Sequence, residues 1–345
     1  MMKLLTWRLK YCNMDLYIDK ENLKSFIHSR SEDDFDDCLR MIRRQLHVIY
    51  NMDKSVFRDD PEMTQWLLRM GEGRGASEET DTFNNDLFPL RPIKSNSYIE
   101  WDRKELSAVY LIDDLNTIKL KNKGCVLLGD IGEELRVLLK LFCGRDYDYH
   151  HLYDLQKNFN SWEQLVDENQ MLPCTDIIIN DRYLFNDDFM LVEYNLCRML
   201  KAIVNNVKNK VNVVVYTQND SIRNFGIDKA TSIIKSAIEK TTSMKPNITY
   251  VTSGAKPTKI PHDRFVITNY RLIRSGDSFI YFNTKGEKIT KGGSLDIDSL
   301  AKYETYVFVN SLLESLQSIY NDLYRLNKDL IIGSRVSNFI KFKSE

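Results

Sequence analysis

The chain of 345 residues holds no apolar run approaching the ~20 residues that a bilayer-spanning helix needs. Its opening MMKLLTWRLKYCNM is interrupted by Lys3, Arg8 and Lys10 and leads to no small-residue cleavage site, so it does not read as a secretory leader. Met14, which opens MDLYIDKENL, reads as an alternative start. The six cysteines (Cys12, Cys38, Cys125, Cys143, Cys174 and Cys197) contain no CxxC pair. Neither a disulfide framework nor a thiolate metal site is expected, and buried reduced thiols fit better. Glycine and proline are few, at 14 and 7, which excludes fibrous and low-complexity classes. The GDIGEE that follows CVLLGD has too few glycines for a dinucleotide-binding loop. Histidine is scarcer still, with five. Two of them, His150 and His151, are adjacent and would leave opposite faces of a strand, which reads as surface or packing. The expectation is a cytoplasmic protein with no metal, no cofactor and no membrane partner.

What is present is a globular composition, 43% hydrophobic and 28% charged, with a net charge of −1 that conceals an asymmetry. Residues 171–345 carry 24 Lys and Arg against 18 Asp and Glu, and the first 170 residues carry 24 against 31. Between Lys201 and Lys291 the balance is 16 basic to 6 acidic. A local basic excess of this kind attracts phosphate-bearing partners, and a solvated surface is the plainer account of it.

Apolar periodicity predicts an α/β fold in two domains. In the smaller N-terminal α/β domain, 1–150, the strand DLYI precedes a helix from Lys20 to about His28. A longer helix is expected through EDDFDDCLRMIRRQLHVIYNM, on the spacing of Phe35, Cys38, Leu39, Ile42, Leu46 and Ile49. AVYLID, the helix DLNTIKLKNKG, the strand CVLLGD and the helix IGEELRVLLKLFCG follow. Asp19, Glu21, Asp113 and Asp114 close the apolar strands. Such carboxylates collect Mg²⁺ in nucleases of the PIN type, and equally they serve as ordinary helix caps. Residues 151–171 read as a connecting segment without a clear period. The C-terminal domain, 172–345, alternates TDIIINDRYLF, the helix DDFMLVEYNLCRMLKAIVNNV, VNVVVYT, the helix DKATSIIKSAIEKTTSM and NITYVTS. KIPHDRFVITNY and DSFIYFN are expected as fourth and fifth strands, before a final long helix. This order predicts a mainly parallel sheet with helices on both faces.

The most specific spacing is H-x-R-x4-N-x6-G-D-S, formed by His262, Arg264, Asn269, Gly276 and Ser278. If PHDRFV is a strand, His262 and Arg264 leave the same face. An imidazole beside a guanidinium makes a phosphate site, in which the cation neutralises the oxygens and the histidine attacks phosphorus or moves a proton. Asp263 would then anchor the strand from the other face, and the Ser275-Gly276 turn would offer backbone donors to an oxyanion. Arg271 and Arg274, just past the strand, would add positive charge.

This spacing resembles the H-x-K-x4-D-x6-G-S signature of the phospholipase D-like superfamily. The likeness runs over about residues 172–290, with Asp181-Arg182-Tyr183 closing the first strand as in one half of that fold. It implies a phospholipase D-like sheet with flanking helices. His262 and Arg264 would be its catalytic residues, with Arg264, Asn269, Gly276, Ser278, Arg271 and Arg274 on the phosphate and Asp181, Arg182 and Asp263 in support. Arg264 stands where the family has lysine, Asn269 where it has aspartate, and Asp277 where it has the serine after the glycine. One histidine motif is present, where active members bring two together, so the resemblance also implies a homodimer. Three readings stay open. The first is a phosphodiesterase or nuclease acting on DNA or RNA, as in bacterial defence systems. The second is a non-catalytic nucleic-acid- or phosphate-binding module, and the third is a polar cluster that merely holds a strand edge.

Overall fold

The computed structural model describes residues 14–31, 35–51, 54–71, 108–110, 126–128, 150–166, 172–205, 207, 210–253, 260–290, 292–300 and 302–343. The chain divides into two compact units, residues 1–148 with 301–303, and residues 149–300 with 304–345.

In the first unit, β1 (Met14–Asp19) leads into α1 (Lys20–His28), and α2 (Phe35–Gln45) leads into β2 (Leu46–Asn51). After α3 (Lys54–Asp59) and α4 (Pro61–Gly71) come the short strands β3 (Ala108–Tyr110) and β4 (Val126–Leu128). All the pairings are parallel, in the order β2-β1-β3-β4, as the alternating pattern predicts. The helix expected to run on to about residue 52 ends at Gln45. LHVIYN is instead a strand, rich in β-branched and aromatic residues, with Val48 and Tyr50 buried two apart. The Tyr50 hydroxyl accepts from Trp66 Nε1 at 2.8 Å, which ties β2 to α4. The two helices expected between Asp114 and Gly144 lie outside the described residues.

The second unit is an eight-stranded sheet of order β12-β8-β7-β6-β9-β10-β11-β5. Its strands are β5 (His150–Asp154), β6 (Asp176–Asn180), β7 (Asn212–Gln218), β8 (Asn247–Ser253), β9 (Arg264–Ile267), β10 (Arg271–Ser275), β11 (Ser294–Ser299) and β12 (Ile331–Gly333). The crossovers are α5 (Phe189–Ile203) between β6 and β7, and α6 (Asn219–Phe225) with α7 (Ile227–Thr242) between β7 and β8. β6, β7 and β8 are parallel, and every other pairing is antiparallel. The sheet is therefore mixed, not mainly parallel. The links between β9, β10 and β11 contain no crossover helix, and without one neighbouring strands reverse direction. Residues 150–166, read from sequence as connector, supply the edge strand β5 and the fully buried Trp162.

β6 and β7 are buried on both faces, which explains their unbroken runs of Ile and Val. One face carries Ile177, Ile179, Val213, Val215, Val266 and Ile273 into a core with Val192, Leu196 and Met199 of α5 and Ile233 and Ile234 of α7. On the other, the Tyr216 hydroxyl donates to the Leu316 carbonyl of α8 (Tyr303–Leu326) at 3.1 Å. Helix α5 starts at Asp188, whose carboxylate accepts from the Met190 and Leu191 amides at 2.8 and 3.2 Å.

DSFIYFN does not form the expected fifth strand, although Phe279, Ile280, Tyr281 and Phe282 are all buried. Asn195 of α5, fully buried, takes the place of a neighbouring strand. Its Oδ1 accepts from the Tyr281 and Phe282 amides and from Trp162 Nε1, each at 3.0 Å, and its Nδ2 donates to the Phe282 carbonyl at 2.7 Å. β11, in SLDIDS, has no counterpart in the sequence reading, because charges and serines hide its alternation. Replacing Asn195 with alanine strands three buried donors at once. The N195A variant is expected to lose about 3 kcal/mol or more in urea unfolding, and a loss below about 1 kcal/mol would show that water replaces the amide.

Candidate phosphate site

At the C-terminal end of β6 the chain runs Asn180-Asp181-Arg182-Tyr183, and each side chain fixes a different neighbour. The Asn180 amide donates to the carbonyls of Pro261 (3.3 Å) and Asp263. Arg182 donates to the Ile260 carbonyl through Nε at 2.6 Å and also through Nη2. The approach to β9 is thus bonded by side chains rather than by a ladder, and Pro261 has no amide to offer one. β9 accordingly begins at Arg264. His262 lies ahead of it in a bend, so the expectation that His262 and Arg264 leave one face of a strand is not met. They meet through Tyr183 instead. The His262 ring stands edge-on to the Tyr183 ring at 6.2 Å, and the Arg264 guanidinium lies 5.7 Å from the same ring's centre.

His262 is exposed and Arg264 half-buried. Arg264 Nη1 donates to the Gly276 carbonyl at 3.3 Å, while its buried Nε has no hydrogen-bond partner among the described residues. Among the described residues no acid forms an ion pair with Arg264, so the pairing with Asp181 or Asp263 that would make it a strand anchor is absent. Asp263 is exposed and takes part only through its carbonyl.

Asp181 is fully buried. It accepts from Ser278 Oγ at 2.6 Å, from the Phe279 amide at 3.1 Å and from the Tyr183 amide at 2.9 Å. Burial pushes its carboxyl above the ordinary carboxylate range, against the opposing pull of those donors and of the Arg264 charge. The 275–279 loop is closed on itself as well. The Gly276 amide donates to the Ser294 carbonyl at 3.2 Å, the Asp277 amide to Ser275 Oγ at 3.0 Å and the Ser278 amide to Asp277 Oδ1 at 2.8 Å. The turn therefore holds no free amide nest, and the oxyanion donors expected there are already engaged. Gly276 has no left-handed φ, and a Cβ there would meet Gly293 Cα and Ser294 N at an ordinary contact distance of 3.9 Å, so nothing local requires glycine.

The remaining predicted residues are dispersed. Asn269 is buried at the opposite end of the sheet, where its Oδ1 accepts from the Thr175 amide at 2.7 Å and the Asp176 amide at 3.3 Å. Arg271 is fully buried and pairs in register with Ser299, four residues along β10 from Ser275, the partner of Arg264. Arg274 precedes Ser275, so it leaves the other face from Arg264, and it donates to Asp298 at 2.8 Å. His262, Arg264, Ser278, Asp181, Arg182 and the Gly276 carbonyl converge, whereas Asn269, Arg271 and Arg274 do not. Tyr183, which touches both His262 and Arg264, enters the sequence reading only as part of a strand end, and its aromatic character beside Asp-Arg was the available signal. In the first unit Asp19 ends β1 and Glu21 sits in α1, while Asp113 and Asp114 lie outside the described residues. Among the described residues no three His, Cys, Asp or Glu side chains are placed to share a metal, and no helix is long and apolar enough to cross a membrane. A groove of about 610 Å³ along α5 is lined by Glu163, Tyr194, Arg198 and Lys201 and includes neither His262 nor Arg264.

No family model and no curated protein matches the chain. Among solved structures, a phospholipase D family member, Nuc from Salmonella typhimurium, is 15% identical, with a TM-score of 0.27 over 55% of this chain and 99% of that one.

The raised Asp181 carboxyl gives a pH test. A buried acid of this kind favours the fold while protonated; that contribution is complete below its unfolded value near 3.9 and is lost as pH rises through the folded value. The D181N variant has no such proton to lose. Its melting temperature relative to the wild type is expected to climb as pH rises from about 4 to about 7, and a difference that is flat across this range contradicts the account.

Proposed function

We propose that the C-terminal unit binds the phosphodiester backbone of nucleic acid at Arg264, His262 and Tyr183, without cleaving it. The observation that carries this reading is Arg264, a half-buried guanidinium that has, among the described residues, no acid paired to it and no partner for its Nε. The Asp181 carboxyl feels the charge of this guanidinium but makes no ion pair with it, and a phosphate oxygen fits the fork of a guanidinium. Tyr183, half-exposed between His262 and Arg264, gives a base a ring to stack on. The motif spacing and the basic excess between Lys201 and Lys291 point the same way.

Binding is favoured over hydrolysis by the surroundings of His262. No carboxylate orients its ring among the described residues, Asn269 occupies the motif's acid position at the far end of the strand, and the turn amides are spent. Cleavage is the second reading, and the exposure of His262 favours it, since a nucleophile has to be reachable.

Fluorescence anisotropy with labelled single- and double-stranded DNA and RNA across a salt series separates the readings. R264A is expected to weaken binding several-fold for every sequence and to reduce the salt slope by about one, while the oligonucleotides stay intact with and without EDTA. Metal-independent cleavage lost in H262A would establish the phosphodiesterase reading instead. Failure to bind any of the four nucleic acids would remove both.

A further inference from the structure

A carboxylate-backed histidine does exist in the second unit, away from the Arg264 cluster. β5, β10 and β11 are neighbours, and on one face of these three strands stand His150, Asp298 and Arg274. Asp298 lies directly opposite His150 in the β11–β5 register. It is 8% exposed, and each of its oxygens is taken by one partner: Oδ1 by His150 Nδ1 and Oδ2 by Arg274 Nη2, both at 2.8 Å. The two partners are themselves open to solvent, at 42% and 45% exposure. An ionised carboxylate only accepts hydrogen bonds, so Nδ1 carries a hydrogen, and in the neutral ring Nε2 is the lone pair. Arg274 bonds Asp298 through Nη2, which leaves its other guanidinium donors for a ligand on the same face. All three residues rise from paired strands, which hold them more firmly than loops would.

We propose that His150 and Arg274 form a second reactive site, in which His150 is a general base, Arg274 an oxyanion donor and Asp298 the residue that positions both. The substrate class is set by what surrounds them. Asp296, two residues before Asp298 on the same face and directly opposite Arg274, adds a carboxylate that repels multiply charged anions. Leu152, 52% exposed and opposite Asp296, adds an apolar contact. An uncharged carboxylic ester with a short acyl chain fits that setting. His150 Nε2 takes a proton from water as the oxygen attacks the carbonyl carbon, and the oxyanion that forms lies against Arg274. The bond to the leaving alcohol then breaks, and Nε2 returns the proton to it, so the acid and the alcohol leave and the histidine is regenerated.

The full chain with p-nitrophenyl acetate tests this. Hydrolysis is expected to exceed that of free imidazole at equal concentration, and to fall about tenfold or more in His150→Gln. His28→Gln, which removes an exposed histidine of the other unit, leaves the rate unchanged. Asp298→Asn is expected to lower kcat with KM little altered. Independently of any variant's folding, ¹⁵N NMR of the wild type is expected to place the His150 proton on Nδ1. A rate no higher than imidazole, no effect of His150→Gln, or a proton on Nε2 in the wild type would each overturn the proposal. Nucleic-acid binding by His150→Gln, unchanged from wild type, keeps this outcome separate from the reading of Arg264.

Discussion

The constraint on which the candidate site depends is one buried carboxyl group. Asp181 sits where β6 stops and accepts from the Tyr183 amide on its own side and from Ser278 Oγ and the Phe279 amide on the other. These bonds hold the β6 terminus against the loop that follows β10, and Arg264 reaches across to the same loop through the Gly276 carbonyl. Without them Tyr183 would have no fixed place between His262 and Arg264. Burying a carboxyl group is unfavourable, and three donors together with a nearby guanidinium offset that cost.

The same device recurs elsewhere in this unit. Asn195 satisfies the backbone of 281–282 in place of a strand, and Asp176 accepts from Ser337 Oγ, the Asn338 amide and Asn338 Nδ2 at 2.8, 2.7 and 2.6 Å, pinning the C-terminal arm to the start of β6. In each case a buried polar side chain on a regular element organises a segment that has no regular structure. Such groups serve when every donor and acceptor finds a partner. Against that background Arg264 Nε and Asn180 Oδ1, two buried atoms at the same end of the sheet, have no hydrogen-bond partner among the described residues.

The hydrophobic alternation of residues 172–253 made the three parallel strands and their crossovers legible, because β6 and β7 are buried on both faces and read as continuous Ile and Val runs. The antiparallel half was harder. SLDIDS looks polar because its buried Leu295 and Ile297 alternate with aspartates and serines, and FIYF looks like a strand because its side chains are buried, while the backbone of its last two residues bonds to Asn195 and the Phe279 amide to Asp181. The spacing from His262 to Ser278 named Arg264 and Ser278, and the Asp-Arg-Tyr after the first strand named Asp181; in the fold Ser278 bonds Asp181 and Arg264 bonds the Gly276 carbonyl of the same loop. Asn269 of that spacing, and Arg271 and Arg274 just past it, are sent by strand direction and pleat to another end or another face. Adjacent histidines at 150 and 151 read as packing, since nothing in the sequence near them announces that Asp298 will be the cross-strand neighbour of His150.

The central claim is that Arg264, among the arginines of this unit, is the one held ready for a phosphodiester. Its Nε–H resonance, followed by ¹⁵N NMR during titration with a short single-stranded oligonucleotide, tests it most directly. The account predicts a saturable shift at Arg264 Nε, with Arg274, already bonded to Asp298, unmoved. A shift at Arg274 or Arg182 with Arg264 silent would contradict it.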